Sequence, residues 1–278
     1  VHNVLGVRVL TSDGDVMEIG GALYDNPGLD MLALLCGSEG MLGIVTQVTV
    51  ALLPEPEKKS VILAGFKQVT DAGNAVASII GAGIIPAGME MMDKLAVQAA
   101  EQFAHAGYPL DAAAILIIEL DGAEAELSAV TAQVIDHLNA SGAYQIDQAD
   151  DAETQARLWK GRKSAFPAVG RLSPDYICMD GTIPRHQLAN VLTQIDELSE
   201  RFGLAVANVF HAADGNLHPL ILFDANVPGQ TDHAMAMGGE ILQCCVAAGG
   251  TVTGEHGIGV EKLDTMCVQF TSDELAQF

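Results

Sequence analysis

The stretch His211-Ala-Ala-Asp-Gly-Asn-Leu-His218 sets two imidazoles either side of a glycine turn. Apolar runs, Leu204 to Phe210 and Leu220 to Phe223, lead into and out of it. Asp214-Gly215 is a two-residue hairpin signal, because glycine accepts the φ > 0 that a type I′ turn needs. A hairpin closed there pairs 213 with 216, 212 with 217 and 211 with 218. His211 and His218 would then face each other on one side of the ribbon. Their Cβ atoms would lie roughly 4.5–5.5 Å apart, close enough for the rings to share one metal ion. A slip of one residue would turn one ring to the other face.

A second stretch, Gly249-Gly-Thr-Val-Thr-Gly-Glu-His-Gly-Ile-Gly259, delivers Glu255 and His256 into a glycine-flanked turn. Adjacent side chains of extended backbone point to opposite faces, so one can bind a metal while its neighbour faces a substrate. Glu255 with His211 and His218 makes a two-histidine, one-carboxylate set with positions left open for substrate or water. His256 is then free to act as a general base, with an ordinary pKa near 6.5. A purely structural histidine pair beside a turn has the same spelling, and the residues alone leave both readings open.

Two further stretches carry chemistry. Leu158-Trp-Lys-Gly-Arg-Lys163 is a basic cluster in an acidic chain, with Arg171 soon after. Arg162 is suited to bidentate capture of a carboxylate; favourable charge at a helix C-terminus is the competing explanation. In Cys36-Gly-Ser-Glu-Gly-Met-Leu-Gly-Ile-Val-Thr46, closely spaced glycines let backbone pass near a ligand and donate N–H groups to it. A structural turn between helix and strand competes with that reading.

The elements that must position these residues follow from periodicity. Residues 1–53 read as β-structure with tight turns: strands Val4 to Leu10, Val16 to Ile19 and Gln47 to Leu53, with a short helix from Asp30 to Leu35. Pro54-Glu-Pro-Glu-Lys-Lys59 marks a linker and a domain boundary, giving domains 1–53 and 54–278. Beyond it, strands alternate with helices. Strands are expected at Val61 to Phe66, Met89 to Met92, Ala112 to Leu120, Tyr144 to Asp147, Tyr176 to Ile183 and Gly250 to Gly254. Helices are expected at Asp71 to Gly81, capped by Thr70 or Asp71, Asp93 to Ala104, Ala123 to Leu138, Arg185 to Phe202 and Thr231 to Ala247, with another opening at Asp150-Asp151. Two passages look alike, yet no sequence repeat is evident. The class is α+β: a largely antiparallel sheet with helices on one face, a ferredoxin-like sandwich.

Composition narrows the partners. The 278 residues carry a formal charge of −23, which argues against nucleic acid or an anionic membrane surface as a direct partner. Mean hydropathy is +0.28, yet no stretch reaches the ~20 apolar residues of a spanning helix. The N-terminus reads as strand and not as a signal peptide. Cys36, Cys178, Cys244, Cys245 and Cys267 lack CxxC spacing and read as reduced thiols of a cytoplasmic protein.

Taken together, Gly37-Ser-Glu-Gly-Met-Leu-Gly-Ile-Val-Thr46, Leu158-Trp-Lys-Gly-Arg162, His211-x-x-Asp-Gly-Asn-Leu-His218 and Gly254-Glu-His-Gly-Ile-Gly259 resemble the FAD-linked 2-hydroxyacid oxidase and dehydrogenase family, of the vanillyl-alcohol oxidase fold group. The resemblance extends through Arg162–Tyr176 and Cys178–Pro184 and so covers the whole chain. It implies that residues 1–53 are the C-terminal edge of an FAD-binding domain and 54–278 the substrate or cap domain. Family members begin with a glycine-rich diphosphate loop and continue beyond Phe278, so the chain is expected to be a fragment that binds FAD poorly by itself.

The resemblance assigns Gly37, Ser38, Glu39, Gly40, Gly43 and Ile44 to FAD. It assigns His211, His218 and Glu255 to a divalent metal such as Zn2+ or Mn2+, with the ion acting as a Lewis acid on the substrate hydroxyl. Arg162 becomes the carboxylate clamp, and His256 the acceptor of the hydroxyl proton as hydride passes to flavin. Relatives acting on larger diacids carry a Lys near Cys178 and an Asn near Leu220. Their replacement here implies a small substrate, glycolate or D-lactate, over D-2-hydroxyglutarate. Asp214 and Asn216 belong to the motif and are expected to shape its turn.

The implied partners are a second FAD-domain subunit and an iron–sulfur subunit. The chain has no cysteine cluster to hold such a centre itself. They imply a cytoplasmic location, with any hold on the inner membrane made through those subunits. Two readings of other classes stay open: a flavin-free zinc hydrolase built on the same three ligands, and a non-catalytic binding domain in which the histidine pair is structural.

Overall fold

The computed structural model describes residues 3–22 and 28–277. Two compact units divide between Glu55 and Pro56. In the first, β1 (Val4–Leu10) is the middle strand of an antiparallel sheet ordered β2-β1-β3, with β2 Val16–Gly20 and β3 Ile44–Val50. The helix α1 (Met31–Leu35) is capped by Asp30, whose carboxylate accepts the Ala33 N–H. Val7, Val9 and Leu35 form a small core with Leu32 and Ile19. The third strand begins earlier than its alternation indicated, at Ile44. The β1 ladder captures the end of the glycine segment, Ile44 pairing with Leu10.

The second unit opens as β4 (Lys58–Phe66), α2 (Val69–Gly81), β5 (Gly88–Asp93), α3 (Lys94–Ala104), β6 (Ala114–Gly122), α4 (Glu124–Ala140) and β7 (Ala143–Ala149). These strands lie in the order β7-β4-β6-β5, every pair antiparallel. Numbered by their place in this passage, the order is 4-1-3-2, the ferredoxin-like arrangement. Helices α5 (Ala152–Lys163) and α6 (Ala165–Val169) follow.

A second passage repeats the plan: β8 (Asp175–Cys178) and β9 (Gly181–Thr182), α7 (Leu188–Phe202), β10 (Val206–His211), β11 (Asn216–Leu217) and β12 (Pro219–Phe223), α8 (Gln230–Ala247), then an isolated bridge from Thr251 to Thr182. Here β8 and β9 act as one interrupted strand, as do β11 and β12. The order from the bridge inward is again 4-1-3-2. The two halves join edge to edge through β5 and β10, which pair antiparallel with His211 opposite Glu90. Short helices α9 (Met266–Gln269) and α10 (Ser272–Leu275) end the chain.

Alternation along each strand splits the core. Ile62, Leu116, Met91 and Phe210 face α2, α4, α7 and α8. Leu63, Ile117, Met92, Val209 and Leu220 face α3, α5 and α6. The sheet therefore carries the expected helical layer on one face and a partial layer on the other. The first helices of the two halves, α2 and α7, touch at Gly73, where a Cβ would lie 2.9 Å from the Ala189 nitrogen.

Local expectations fail at three points. Helix α2 begins at Val69 behind Gln68, with no side-chain cap, so Thr70 and Asp71 lie inside its first turn. The strand expected over 176–183 breaks at Met179-Asp180. The strand expected over 250–254 shrinks to the Thr251 bridge. The last two share a cause: the N–H groups of 254–256 turn to the Asp180 carboxylate and so leave the ladder.

Asp93 ties the halves together from beneath. It caps α3 through the Ala96 N–H, and it accepts the backbone and amide N–H groups of Asn208 on β10 at 2.7 and 2.8 Å. Burial pushes its carboxyl up to about 6 against those hydrogen bonds. The raised value means the carboxyl contributes stability fully below its unfolded pKa, and that stability is lost as pH rises through about 6. Asp93→Ala should lower unfolding free energy by about 2–4 kcal/mol, the sum of a lost cap and stranded buried donors. Denaturant titrations should show a larger loss at pH 5 than at pH 7.5; equal stability of the two proteins would contradict this account.

Candidate active site

The hairpin closes in a different register from the one its turn residues indicate. His211 pairs with Asn216, and Asn208 with Pro219, so His218 lies opposite Val209. The four residues 212–215 make the turn: the Asp214 N–H bonds back to the His211 carbonyl, and Gly215 takes φ 75°. A Cβ on Gly215 would meet the Ile183 carbonyl oxygen at 2.2 Å. Contact with the neighbouring strand, and not the Asp-Gly pair alone, thus sets the turn. The register differs from the expected one by two residues, and the side-chain period is also two. Both imidazoles therefore keep the same face. Their rings lie 5.2 Å apart, edge to face. Asp214 is exposed and only turns the chain, whereas the buried Asn216 side chain reaches inward, its Nδ2 3.5 Å from His218 Nε2.

The ladder sets a row across this face: Glu90 on β5, His211 on β10, Asn216 on β11 and Thr182 on β9. Glu90 Oε1 lies 2.9 Å from His211 Nδ1. Its other oxygen accepts from Arg162 Nε at 2.9 Å and lies 2.7 Å from Nη2. Hydrogen bonding to Glu90 raises the His211 pKa against the opposing effect of burial. Arg162 reaches the row because Gly161 lets the last turn of α5 press onto Tyr108, whose hydroxyl oxygen would lie 2.4 Å from a Cβ there.

Glu255 approaches from the loop after the Thr251 bridge. Its Oε1 is 3.5 Å from His211 Nε2 and 3.2 Å from His218 Nε2. The three donor atoms all lie within 4.8 Å of one another. The His256 ring stacks on His218 at 5.1 Å between centroids, 13° from parallel. Glu255 and His256 thus meet the same imidazole. The expected division between opposite faces does not hold, because the loop is curled and not extended.

The curl has one centre. Asp180 is 0% exposed, and its carboxylate accepts the N–H groups of Gly254, Glu255 and His256 and the Thr253 hydroxyl. Lys262, itself 3% exposed, donates to the Asp180 carbonyl oxygen at 2.8 Å and lies 3.3 Å from the carboxylate. Burial opposes ionisation of Asp180. The hydrogen bonds from His218, the His256 and Gly254 N–H groups and Thr253 outweigh it and hold the carboxyl well below the usual range. Gly254 has no room for a side chain: a Cβ would lie 2.1 Å from Asn216 Oδ1 and 2.7 Å from Asp180 Oδ1.

Asp180, His218 and His256 form a second geometric cluster of potential ligands. Its carboxylate already accepts from the surrounding loop and neighbours a lysine, which leaves little capacity for a cation. His211, His218 and Glu255 suit a divalent ion better. They are two imidazoles and one carboxylate, with the His211 ring oriented from behind by Glu90, the outer carboxylate that ligating histidines commonly have.

Sequence reasoning overlooked Glu90, Asp180 and Lys262. Glu90 had a signal, a single acid among the methionines of a buried strand. Asp180 and Lys262 had none, being ordinary charges in loops.

The glycine segment belongs to the first unit. Gly37, Glu39 and Gly40 take φ of 87°, 52° and 77°. A Cβ on Gly37 or Gly40 would meet nothing within 4 Å, so only the backbone turn demands glycine there. Gly43 is different, since a Cβ would strike Val9 Cγ1 at 2.5 Å. The Ser38 and Met41 N–H groups close turns onto Leu35 and Ser38. Ile44 opens β3, 63% exposed. The five cysteines form no disulfide. Among the described residues, no helix is long and apolar enough to cross a membrane.

Residues 55–278 match the family model described as FAD linked oxidases, C-terminal domain. The whole chain is 56% identical to glycolate oxidase subunit GlcD of Escherichia coli strain K12, covering 56% of that protein. It is 35% identical over 93% of its length to glycolate oxidase subunit GlcD of Bacillus subtilis strain 168, covering 55% of that one. The chain thus spans about half the length of the curated relatives it matches. Its fold is similar to part of 4-ethylphenol oxidase from Gulosibacter chungangensis, with a TM-score of 0.72 at 13% identity, over 99% of this chain and 61% of that one.

Asp180→Ala should leave Lys262 as an uncompensated buried charge and release the 254–256 amides. A loss of about 3–5 kcal/mol is expected, with faster hydrogen exchange at those amides. Because the Asp180 carboxyl is depressed in the fold, its contribution is present above the unfolded pKa and lost as pH falls through the folded one. Unchanged exchange in the variant would refute the role given to Asp180.

Proposed function

Because this chain belongs to the FAD-linked oxidases, we propose that it carries the substrate and proton chemistry of an FAD-dependent oxidation of a small 2-hydroxyacid to the 2-oxoacid. One observation carries the reading: His211 Nε2, His218 Nε2 and Glu255 Oε1 converge beside an exposed His256 ring. Arg162 joins the same site through Glu90. The groups the site would hold supply the rest, FAD taking the two electrons with the hydride of the α-carbon and a divalent ion acting as a Lewis acid on the hydroxyl.

The chain's own residues have distinct tasks. His211, His218 and Glu255 would hold the cation. Arg162 binds and orients the substrate carboxylate. His256 takes the hydroxyl proton at a ring nitrogen. Its backbone is fixed by Asp180 and its ring by stacking on His218, so it is oriented before substrate arrives. Residues 37–44 belong to the cofactor side: Gly37, Ser38, Glu39, Gly40, Gly43 and Ile44 expose a narrow stretch of backbone to FAD.

Cys178 and Leu220 pair directly across β8 and β12, on the side of the sheet that carries His218. Burial pushes the Cys178 thiol up to about 12 and keeps it neutral. Neither residue offers a cation to a second carboxylate, which supports glycolate or D-lactate over D-2-hydroxyglutarate. The relatives named as glycolate oxidase subunits support an assembly. We assign a second FAD-domain subunit and an iron–sulfur subunit as its partners, and the cytoplasm as its location.

Stopped-flow absorbance of the full-length flavoprotein tests the reading. Glycolate or D-lactate should bleach the flavin rapidly, and D-2-hydroxyglutarate slowly or not at all. His256→Ala should slow bleaching by about 10²–10⁴-fold, the usual value of a positioned base, with little change in substrate affinity. Bleaching by none of the three acids would overturn the oxidase reading. An unslowed His256→Ala protein would remove the base.

A further inference from the structure

Glu90 stands at the junction of the two groups that the proposed function treats separately. It occupies β5 between Met89 and Met91, both buried against the opposite layer of helices. Its own side chain, 12% exposed, turns to the other face. There it lies directly across the ladder from His211, with apolar Ile117 as its neighbour on the far side. One carboxylate oxygen lies 2.9 Å from His211 Nδ1. The second accepts from Arg162 Nε at 2.9 Å and lies 2.7 Å from Nη2.

Two consequences follow from donor and acceptor inventory. An ionised carboxylate only accepts, so His211 Nδ1 must carry the hydrogen. In the neutral ring Nε2 then holds the lone pair, and Nε2 is the nitrogen that faces Glu255 at 3.5 Å. A guanidinium presents its N–H groups along separate edges. Glu90 takes up the Nε–H of Arg162, whereas Nη2 lies close to the same oxygen without a hydrogen bond of its own, so the η N–H groups are the ones a substrate carboxylate can use.

We propose that Glu90 is the positioning residue of this site. It fixes His211 as the Nδ1–H tautomer, presenting Nε2 to a divalent cation, and it clamps Arg162 by its Nε–H so that the η N–H groups meet the substrate carboxylate. Glu90 touches neither ligand itself. It couples them through a single rigid strand position, and the coupling rests on the metal and arginine roles proposed above.

The test uses full-length protein stripped of metal and labelled with ¹⁵N-histidine. At the high-pH plateau of its titration, His211 should show a protonated Nδ1 and a bare Nε2. Glu90→Gln should give a mixed or reversed tautomer. Zn2+ or Mn2+ should bind the variant about 10–100-fold more weakly, the usual effect of removing an outer-shell partner, and KM for glycolate should rise more than kcat falls. An Nε2–H tautomer in the wild type overturns the proposal. So does a Glu90→Gln protein with wild-type tautomer and metal affinity. If His211→Ala and Glu255→Ala leave metal affinity unchanged, the metal reading itself fails, and the wild-type tautomer still decides whether Glu90 orients His211. That measurement also stands if Glu90→Gln does not fold.

Discussion

The antiparallel pairing of β5 with β10 is the constraint on which the rest of the site depends. Each strand is the outer edge of a four-stranded ferredoxin-like half, and an unpaired edge is a liability that must be covered. Covering one with the other makes a continuous nine-stranded sheet. It also brings a residue of the first half, Glu90, against one of the second, His211. Neither half contains the whole site: the cation candidates and His256 come from the second, Glu90 from the first, and Arg162 from the helix that follows the first. The carboxylate, the arginine and the imidazole meet only because the seam holds one register. An acid at this depth is tolerable because a guanidinium and an imidazole satisfy it.

Asp180 plays the corresponding part for the loop. A carboxylate removed from water costs several kcal/mol unless its lone pairs are filled. Three consecutive backbone N–H groups, a hydroxyl and a lysine surround this one. The stabilisation therefore lies in the loop's curled shape, and that shape places Glu255 and His256 against His218. The charge is structural, yet it fixes the geometry of the candidate chemistry before any ligand binds. Such preorganisation is what electrostatic catalysis requires of a scaffold. The glycine segment 37–44 of the first unit is held differently, Gly43 packing against Val9 and Ile44 pairing with Leu10. Its turns close by backbone hydrogen bonds to Leu35 and Ser38, and its glycines at 37 and 40 answer to backbone angle alone.

Much of this was legible in the residues. The strand and helix order of the second unit follows from periodicity, and acidic residues mark the starts of two helices, where the structure makes Asp93 and Asp151 the N-caps. The candidate ligands and base follow from motif spacing. The hairpin shows why a wrong detail can leave a right conclusion. Asp-Gly favours a two-residue turn, but Ile183 packs against Gly215 and the strands slip by two. Because the side-chain period is also two, the histidines stay together. At Glu255-His256 the same alternation rule misleads, since it presumes an extended strand where the chain curls around a charge. The two passages look alike in element order but show no sequence repeat, for a topology can recur while its side chains share only burial.

The sequence by itself determined which residues could do chemistry, which class of fold would carry them, and which face of the hairpin the two histidines would share. These depend on local periodicity and residue type, both written in short windows. The tertiary structure alone decided that Glu90 links Arg162 to His211, and that Asp180 and Lys262 shape the Glu255 loop. Those choices rest on contacts between residues far apart in the chain. Their partners are fixed by the register of strands from different halves and by which buried charge has its lone pairs already filled.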